Sequence, residues 1–211
     1  MSKVWILGPC SIENRDLFFD CLSHIDNIME EGDDWYMKAS FDKANRTSLH
    51  GGRGPGLEDA ISIWKEARSA FPHVKFTTDV HECWQVEKLV DVIDMVQIPA
   101  FLCRQTNFIL KVSSANKPVN IKKGQFLSPL EMINVVEKAK STGNKDIFVC
   151  ERGVSFGYNN LVSDMRSLVL LRETKCPVIY DASHSVQYPG KDITSSGGGS
   201  EFIPSLAKAA T

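Results

Sequence analysis

Six cations in this chain follow short apolar runs: Lys38, Lys43, Arg46, Lys122, Lys123 and Arg152. Ordinary surfaces scatter Lys and Arg over helix exteriors. In parallel α/β folds the residues just past each strand face the ligand instead. A convergent set of this kind suits one or two phosphates and a carboxylate, with Arg giving planar two-pronged contacts. For any single lysine the plain alternative is solvated charge. The loop Lys43-Ala44-Asn45-Arg46-Thr47-Ser48 adds an amide and hydroxyls to its cations. That mixture suits a phosphorylated polyol, or else a capped helix start. Cys10 and His184 each follow a strand-like run. Thiolate and imidazole together suit a borderline-soft divalent cation such as Fe²⁺ or Zn²⁺, although a cysteine there is commonly a buried hydrophobe. Asp79 and His81 form either an acid–base pair or a packed, hydrogen-bonded turn.

These residues need elements to position them. Candidate strands are Lys3–Gly8, Trp35–Ser40, Lys75–Val80, Met95–Ala100, Pro118–Lys122, Asp146–Cys150 and Pro177–Tyr180. Residues 57–71 and 129–143 place apolar side chains at helical spacing, the second ending on Gly143. Strand and helix alternate throughout, which predicts a parallel sheet. Seven strand ends carrying polar groups favour a closed barrel over an open sheet, which concentrates its site at one switch point. A TIM-type (β/α)8 barrel has eight such units and about 250 residues; about seven are legible here. Residues 1–211 therefore read as a single barrel domain, incomplete at its C-terminal end. The last segments read as a Gly/Ser-rich loop, 194–200, and a helix, 201–210. Trp64, Phe71, Trp84, Phe108 and Phe148 read as core, and Gly51, Gly52, Gly54 and Gly56 as a mobile loop.

The bulk numbers exclude several classes. The 211 residues carry a net charge of -2, with 43% hydrophobic and 24% charged residues. That is ordinary for a globular protein and offers no polyanion-binding surface, so nucleic acid is not an expected partner. The six cysteines are scattered without a CxxC pair and read as mostly buried thiols in a reducing compartment. No apolar run approaches the roughly 20 residues of a membrane span, and the N-terminal run is too short for a signal peptide. A cytoplasmic protein is expected. Neither a GxGxxG nor a GxxxxGK[ST] loop is present, which argues against dinucleotide and P-loop sites.

Longer motifs carry a resemblance. GPCSIEN (8–14), KASFDKANRTS (38–48), RGPGLE (53–58), TTDVHE (77–82), QIPAFLCRQT (97–106), VNIKKGQF (119–126), ERGVSFGYNNLVSDMRSL (151–168) and VIYDASHSVQ (178–187) together resemble the 3-deoxy-D-manno-octulosonate 8-phosphate synthases. The match is collinear over nearly the whole chain, and KANR is its most specific part. The sister heptulosonate 7-phosphate synthases share the GPC start but carry a KPRT-type sequence where KANRT stands here. The resemblance implies a (β/α) barrel enzyme of lipopolysaccharide sugar synthesis that condenses phosphoenolpyruvate with arabinose 5-phosphate. It implies that Lys43, Lys122 and Arg152 hold phosphoenolpyruvate, with Lys38 and Gln97 lining the same site. Asn45, Arg46 and Thr47 match the arabinose 5-phosphate site, Thr47 standing where the family usually has Ser. Arg104 matches an arginine that reaches a neighbouring subunit's sugar phosphate, which implies a homo-oligomer, typically a tetramer. Lys43, Asp79 and His81 are the expected catalytic groups. Cys10 and His184 match two of four ligands for Fe, Zn or Mn in a metal-dependent branch; the metal-independent branch has Asn in place of Cys10.

The departures are also specific. No segment resembles the METHP…SDG region that brings the family's Glu and Asp ligands. Ser200 stands where an Arg is usual, and Gly51-Gly52 replaces a bulkier segment. A truncated or degenerate chain that keeps only phosphate-ligand binding is one alternative, and a heptulosonate synthase another.

Overall fold

The computed structural model describes residues 3–192 and 195–211, and gives no side-chain account of 191–196. The described residues form two compact units, one of 3–45 and 52–97, the other of 46–51, 98–192 and 195–211. Both are built from βα repeats.

In the first unit the elements run β1 (Val4–Ser11), α1 (Arg15–Ile28), β2 (Asp34–Ser40), α2 (Leu57–Ala70), β3 (Lys75–Asp79), α3 (Gln85–Leu89) and β4 (Met95–Ile98). Each strand pairs in parallel with the next in the chain. The helices follow from their sequence. Asn14 caps α1 by accepting the Leu17 N–H at 2.8 Å, and Phe18, Leu22 and Ile25 form its buried stripe. α2 buries Leu57, Ala60, Ile63, Trp64 and Ala67.

The second unit runs α4 (Thr106–Ser113), β5 (Val119–Lys122), α5 (Met132–Lys140), β6 (Ile147–Glu151), β7 (Val154–Ser155), β8 (Leu161–Val162), α6 (Arg166–Leu171), β9 (Val178–Tyr180), α7 (Ala182–Ser185), β10 (Gln187–Asp192), β11 (Ser195–Gly198) and α8 (Ile203–Ala210). β5, β6 and β9 are parallel neighbours in chain order. A short 3₁₀ turn leads into α5, where Ser128 and Glu131 form a reciprocal capping box. The pairs β7–β8 and β10–β11 are antiparallel hairpins.

Seven parallel strands, each read from the sequence, thus appear in the singly wound α/β pattern of a TIM-type fold. Other expectations are corrected. Ser195–Gly198, read as loop, forms the second strand of a hairpin; Thr194 lies outside the described residues. Trp64 and Phe108 are core, but Trp84 is 55% exposed, because it stands at the start of the short α3 with Lys88 over its ring. Phe71 and Phe148 are half-buried. The six cysteines form no disulfide among the described residues; Cys103, Cys150 and Cys176 are buried, and Cys83 is exposed. Among the described residues no helix is long and apolar enough to cross a membrane.

One irregularity shapes the first strand. The β1–β2 register slips between Leu7 and Cys10, leaving Gly8-Pro9 as a bulge. Gly8 has φ +153, and a Cβ there would lie 2.0 Å from the Lys38 carbonyl oxygen. Only glycine lets the two backbones approach this closely. Gly8→Ala should therefore lower stability by about 2–4 kcal/mol. Gly52→Ala, where an added Cβ meets nothing within 4 Å, should shift it by less than about 0.5 kcal/mol. Urea unfolding of the two variants measures the contrast.

Candidate functional site

The bulge sets up the first polar cluster. Past it the chain turns through Cys10, a non-glycine residue with φ 70. This sparsely populated geometry persists only where surrounding contacts hold it. Here the Cys10 carbonyl oxygen accepts hydrogen bonds from Lys38 Nζ at 3.0 Å and Lys43 Nζ at 2.8 Å. Lys43 Nζ also lies 3.0 Å from Cys10 Sγ. Lys38 and Ser40 share one face of β2 because side chains alternate along a strand. Ser40 Oγ accepts from Lys38 at 2.7 Å and Lys43 at 2.8 Å, and donates to Asp79 at the end of β3.

Asp79 is the anion of this cluster. Lys38 Nζ stands 3.7 Å from one carboxylate oxygen and His81 Nε2 3.3 Å from the other. Burial pushes the Asp79 pKa up, but Lys38, the His81 hydrogen bond and Lys43 outweigh it and hold the carboxyl well below its usual range. The His81 ring packs against Phe41, which packs on Trp64. Its Nδ1 is buried with no hydrogen-bond partner among the described residues. Gln97 is buried at the end of β4. Beyond Lys43 the loop is clamped by Arg53, whose guanidinium pairs with Asp42 and whose carbonyl accepts the Lys43 N–H at 2.7 Å. Asn45 is exposed on this loop.

The second unit has its own cluster. Lys122 ends β5 with 7% exposure and pairs with Asp181, which follows β9. Asp181 also caps α7: its Oδ1 accepts the His184 N–H at 2.9 Å, and its Oδ2 lies 2.7 Å from His184 Nδ1. One carboxylate thus orients both a lysine and an imidazole. Burial opposes the charge on each partner, yet the attraction between them raises the Lys122 pKa, and Lys122 with His184 depresses that of Asp181. Arg152 follows β6 with 5% exposure; its Nη2 donates to Gln187 Oε1 at 2.7 Å. Its Nη1 is buried without a hydrogen-bond partner among the described residues. Burial lowers the Arg152 pKa against the pull of Asp181 and neighbouring groups, but a guanidinium stays charged in proteins. Cys150, buried between these charges, has its thiol pushed up to about 12 and is a neutral filler.

The candidates thus fall into groups. Cys10, Lys38, Lys43, Asp79 and His81 come together in one cluster; Lys122, Arg152 and His184 belong to the other. Arg46, Thr47 and Arg104 are exposed in the second unit. Lys123, grouped by sequence with the ligand-facing cations, is 1% exposed and turns inward to Glu151 at 3.5 Å. Consecutive residues at a strand end point to opposite sides, so Lys122 and Lys123 cannot share one task. Ser40, Asp181 and Gln187 hold the candidate cations, a role the sequence did not assign them. The β2 alternation that puts Lys38 and Ser40 on one face was the available signal for Ser40. Cys10 and His184 lie in different clusters, and among the described residues no three His, Cys, Asp or Glu side chains are grouped to hold a metal ion. His184 does have the carboxylate partner that typically orients a metal-binding imidazole.

A sequence model of the DAHP synthetase I family matches residues 2–211. The chain is 55% identical over 206 residues to the 2-dehydro-3-deoxyphosphooctonate aldolase of Legionella pneumophila strain Corby, covering 97% of this chain and 75% of that protein. It is 56% identical over 207 residues to the protein of the same name from Coxiella burnetii strain CbuK_Q154, covering 98% of this chain and 74% of that one.

Asp79 and Asp181 are both held below the unfolded-chain carboxylate value of about 4. The stability they contribute is complete above that pH and is lost as pH falls below it. Asp79→Asn should cost about 3–5 kcal/mol at neutral pH by leaving Lys38 without its anion. It should also flatten the acid-side loss of stability. Urea midpoints measured between about pH 3 and 7 for both proteins test this; parallel pH profiles would contradict it.

Proposed function

The chain belongs to the DAHP synthetase I family, and from that premise we propose that it condenses phosphoenolpyruvate with D-arabinose 5-phosphate. The products are 3-deoxy-D-manno-octulosonate 8-phosphate and inorganic phosphate, a step of lipopolysaccharide sugar synthesis. The similarity to the Legionella and Coxiella proteins supports this reading, as does the KANRT segment at 43–47. The observation that carries it is Arg152. A buried guanidinium with Nη1 lacking a partner is costly unless an anion completes it. A phosphate or carboxylate of phosphoenolpyruvate supplies that anion, with Lys122 as a further cation of the same unit; Lys43 is assigned to this substrate by the resemblance alone.

In the reaction, C3 of phosphoenolpyruvate attacks the aldehyde carbon of the sugar and a carbon–carbon bond forms. The aldehyde oxygen takes a proton, water adds at C2, and the C2–O bond to phosphate breaks. The protein's part is to hold two polyanions together and to move protons. Lys43, with three contacts around Cys10 and Ser40, is placed to polarise an oxygen. His81 is held at Nε2 by Asp79, so Nδ1 is the nitrogen to exchange a proton with water or substrate. Lys38 and Gln97 line the phosphoenolpyruvate site in this reading, and Asn45, Arg46 and Thr47 receive the sugar phosphate. Arg104, exposed in the turn after β4, serves a neighbouring copy in a homo-oligomer. By the resemblance Cys10 and His184 are two of four ligands of a divalent cation, but they belong to separate units, and among the described residues no three His, Cys, Asp or Glu side chains are grouped to hold the ion. In the metal-dependent branch that the resemblance names, such a cation would supply Lewis-acid polarisation of the aldehyde or activation of the water.

Phosphate release from phosphoenolpyruvate should be faster with arabinose 5-phosphate than with erythrose 4-phosphate; the reverse order would overturn the substrate assignment. Calorimetry should show Arg152→Ala binding phosphoenolpyruvate more weakly by about 1.5–3 kcal/mol, on the order of ten- to a hundredfold. Chelation should lower turnover and Mn²⁺ restore it. Turnover that survives both a chelator and Cys10→Asn would place the chain in the metal-independent branch.

A further inference from the structure

Glu151, the last residue of β6, is 2% exposed and is not itself aimed at a ligand. Its Oε1 accepts the backbone N–H of Arg152 at 2.9 Å and of Gly153 at 2.6 Å. The same oxygen lies 3.5 Å from Lys123 Nζ. Oε2 is buried with no partner among the described residues, so the bonds of this carboxylate converge on Oε1 and one turn. That turn needs a clasp, because Gly153 sits at φ +92.

Lys123 closes the clasp from the other strand. Its ammonium faces the carbonyl oxygens of Gly124 at 3.4 Å, Leu127 at 3.3 Å and Gly153 at 3.4 Å. Its own N–H donates to the Cys150 carbonyl at 2.8 Å, and the Ser155 N–H donates to Gln125 O at 2.9 Å. The loop after β5, which begins next to Lys122, is thereby tied to the loop after β6, which carries Arg152. Replacing a buried pair of this kind by apolar residues commonly leaves stability unchanged or improved. Stability alone therefore does not account for a lysine and a glutamate sealed beside the two cations.

We infer that the Lys123–Glu151 pair is a positioning device for anion binding: it sets the direction of the Arg152 guanidinium and keeps it in register with Lys122. The inference rests on reading Arg152 and Lys122 as the phosphoenolpyruvate-binding groups. Neither Lys123 nor Glu151 touches substrate in this arrangement. Both act through their neighbours.

Glu151→Gln tests this in the full chain. The amide keeps an oxygen acceptor for the turn but loses the charge that holds Lys123. The KM for phosphoenolpyruvate should rise about tenfold or more, with the KM for arabinose 5-phosphate within about twofold of the parent. Lys123→Met should do the same. In the double variant Lys123→Met/Glu151→Gln the urea midpoint should recover while the phosphoenolpyruvate KM stays high. A phosphoenolpyruvate KM that is unchanged, or that recovers together with stability, overturns the inference and leaves a structural pair. Amide hydrogen exchange at Arg152 and Gly153 gives a readout independent of turnover. It should accelerate selectively in Glu151→Gln, and unchanged exchange at both positions overturns the inference too. If the parent chain itself binds no phosphoenolpyruvate, the functional assignment falls, and the exchange data alone decide whether the pair sets the turn.

Discussion

Positive charge removed from water is the constraint around which both clusters are organised. A cation loses most of its hydration on burial, and the loss is tolerable only if oxygen atoms replace it. Lys122, Lys123 and Arg152 are nearly sealed, at 7%, 1% and 5% exposure. Each is answered differently. Lys122 receives Asp181, Lys123 receives Glu151 and three carbonyls, and Arg152 receives Gln187 at Nη2, with Nη1 unmatched among the described residues. In the first unit Lys38 and Lys43 share the Cys10 carbonyl and Ser40, with Asp79 behind them. Of the groups named, three cations face two carboxylates in the second cluster, and two face one in the first. Each cluster keeps a positive charge in excess, which is the electrostatic basis for binding anions.

Backbone irregularity supplies what the regular strands cannot. A parallel strand directs its residues to alternating sides, so two consecutive residues cannot both reach one ligand. The Gly8-Pro9 bulge and the positive φ of Cys10 turn a carbonyl outward where two lysines meet it. The turn at Gly153 lets the Arg152 and Gly153 N–H groups converge on a single carboxylate oxygen. The Gly153 turn follows the end of β6, whereas the Gly8-Pro9 bulge lies inside β1, with Cys10 and Ser11 still paired to β2 beyond it.

The seven parallel strands were legible because each is a β-branched or apolar run followed by polar residues. Period and turn chemistry are local properties. The hairpins β7–β8 and β10–β11 were not legible: strands of two residues have no period, and Ser195–Gly198 carries turn composition into a strand. Trp84 was misread for a related reason, since helical spacing does not reveal that α3 is only five residues long. Lys38, Lys43, Asp79 and His81 were legible because each lies near the end of a strand: Lys38 within β2, Lys43 three residues past it, Asp79 at the end of β3 and His81 two residues beyond. Their supports were harder to see. Asp181 meets Lys122 across 59 residues of sequence and Ser40 meets Asp79 across 39, and no local pattern encodes such pairings.

The doublet Lys122-Lys123 shows why composition at a strand end does not equal function. In the sequence both lysines belong to the set of cations that follow strands. Strand geometry instead divides them, sending one to Asp181 and the other to Glu151. The first is tied through Asp181 to His184, and the second through Glu151 to the backbone of Arg152. Lys123 thereby meets a carboxylate at the end of the adjacent strand β6, and Lys122 meets one that follows β9. In the proposed reading, an anion arriving at Arg152 meets a guanidinium whose direction has been set before binding. The ordering cost has been met during folding rather than at the encounter, which is the condition under which a few contacts suffice for tight recognition.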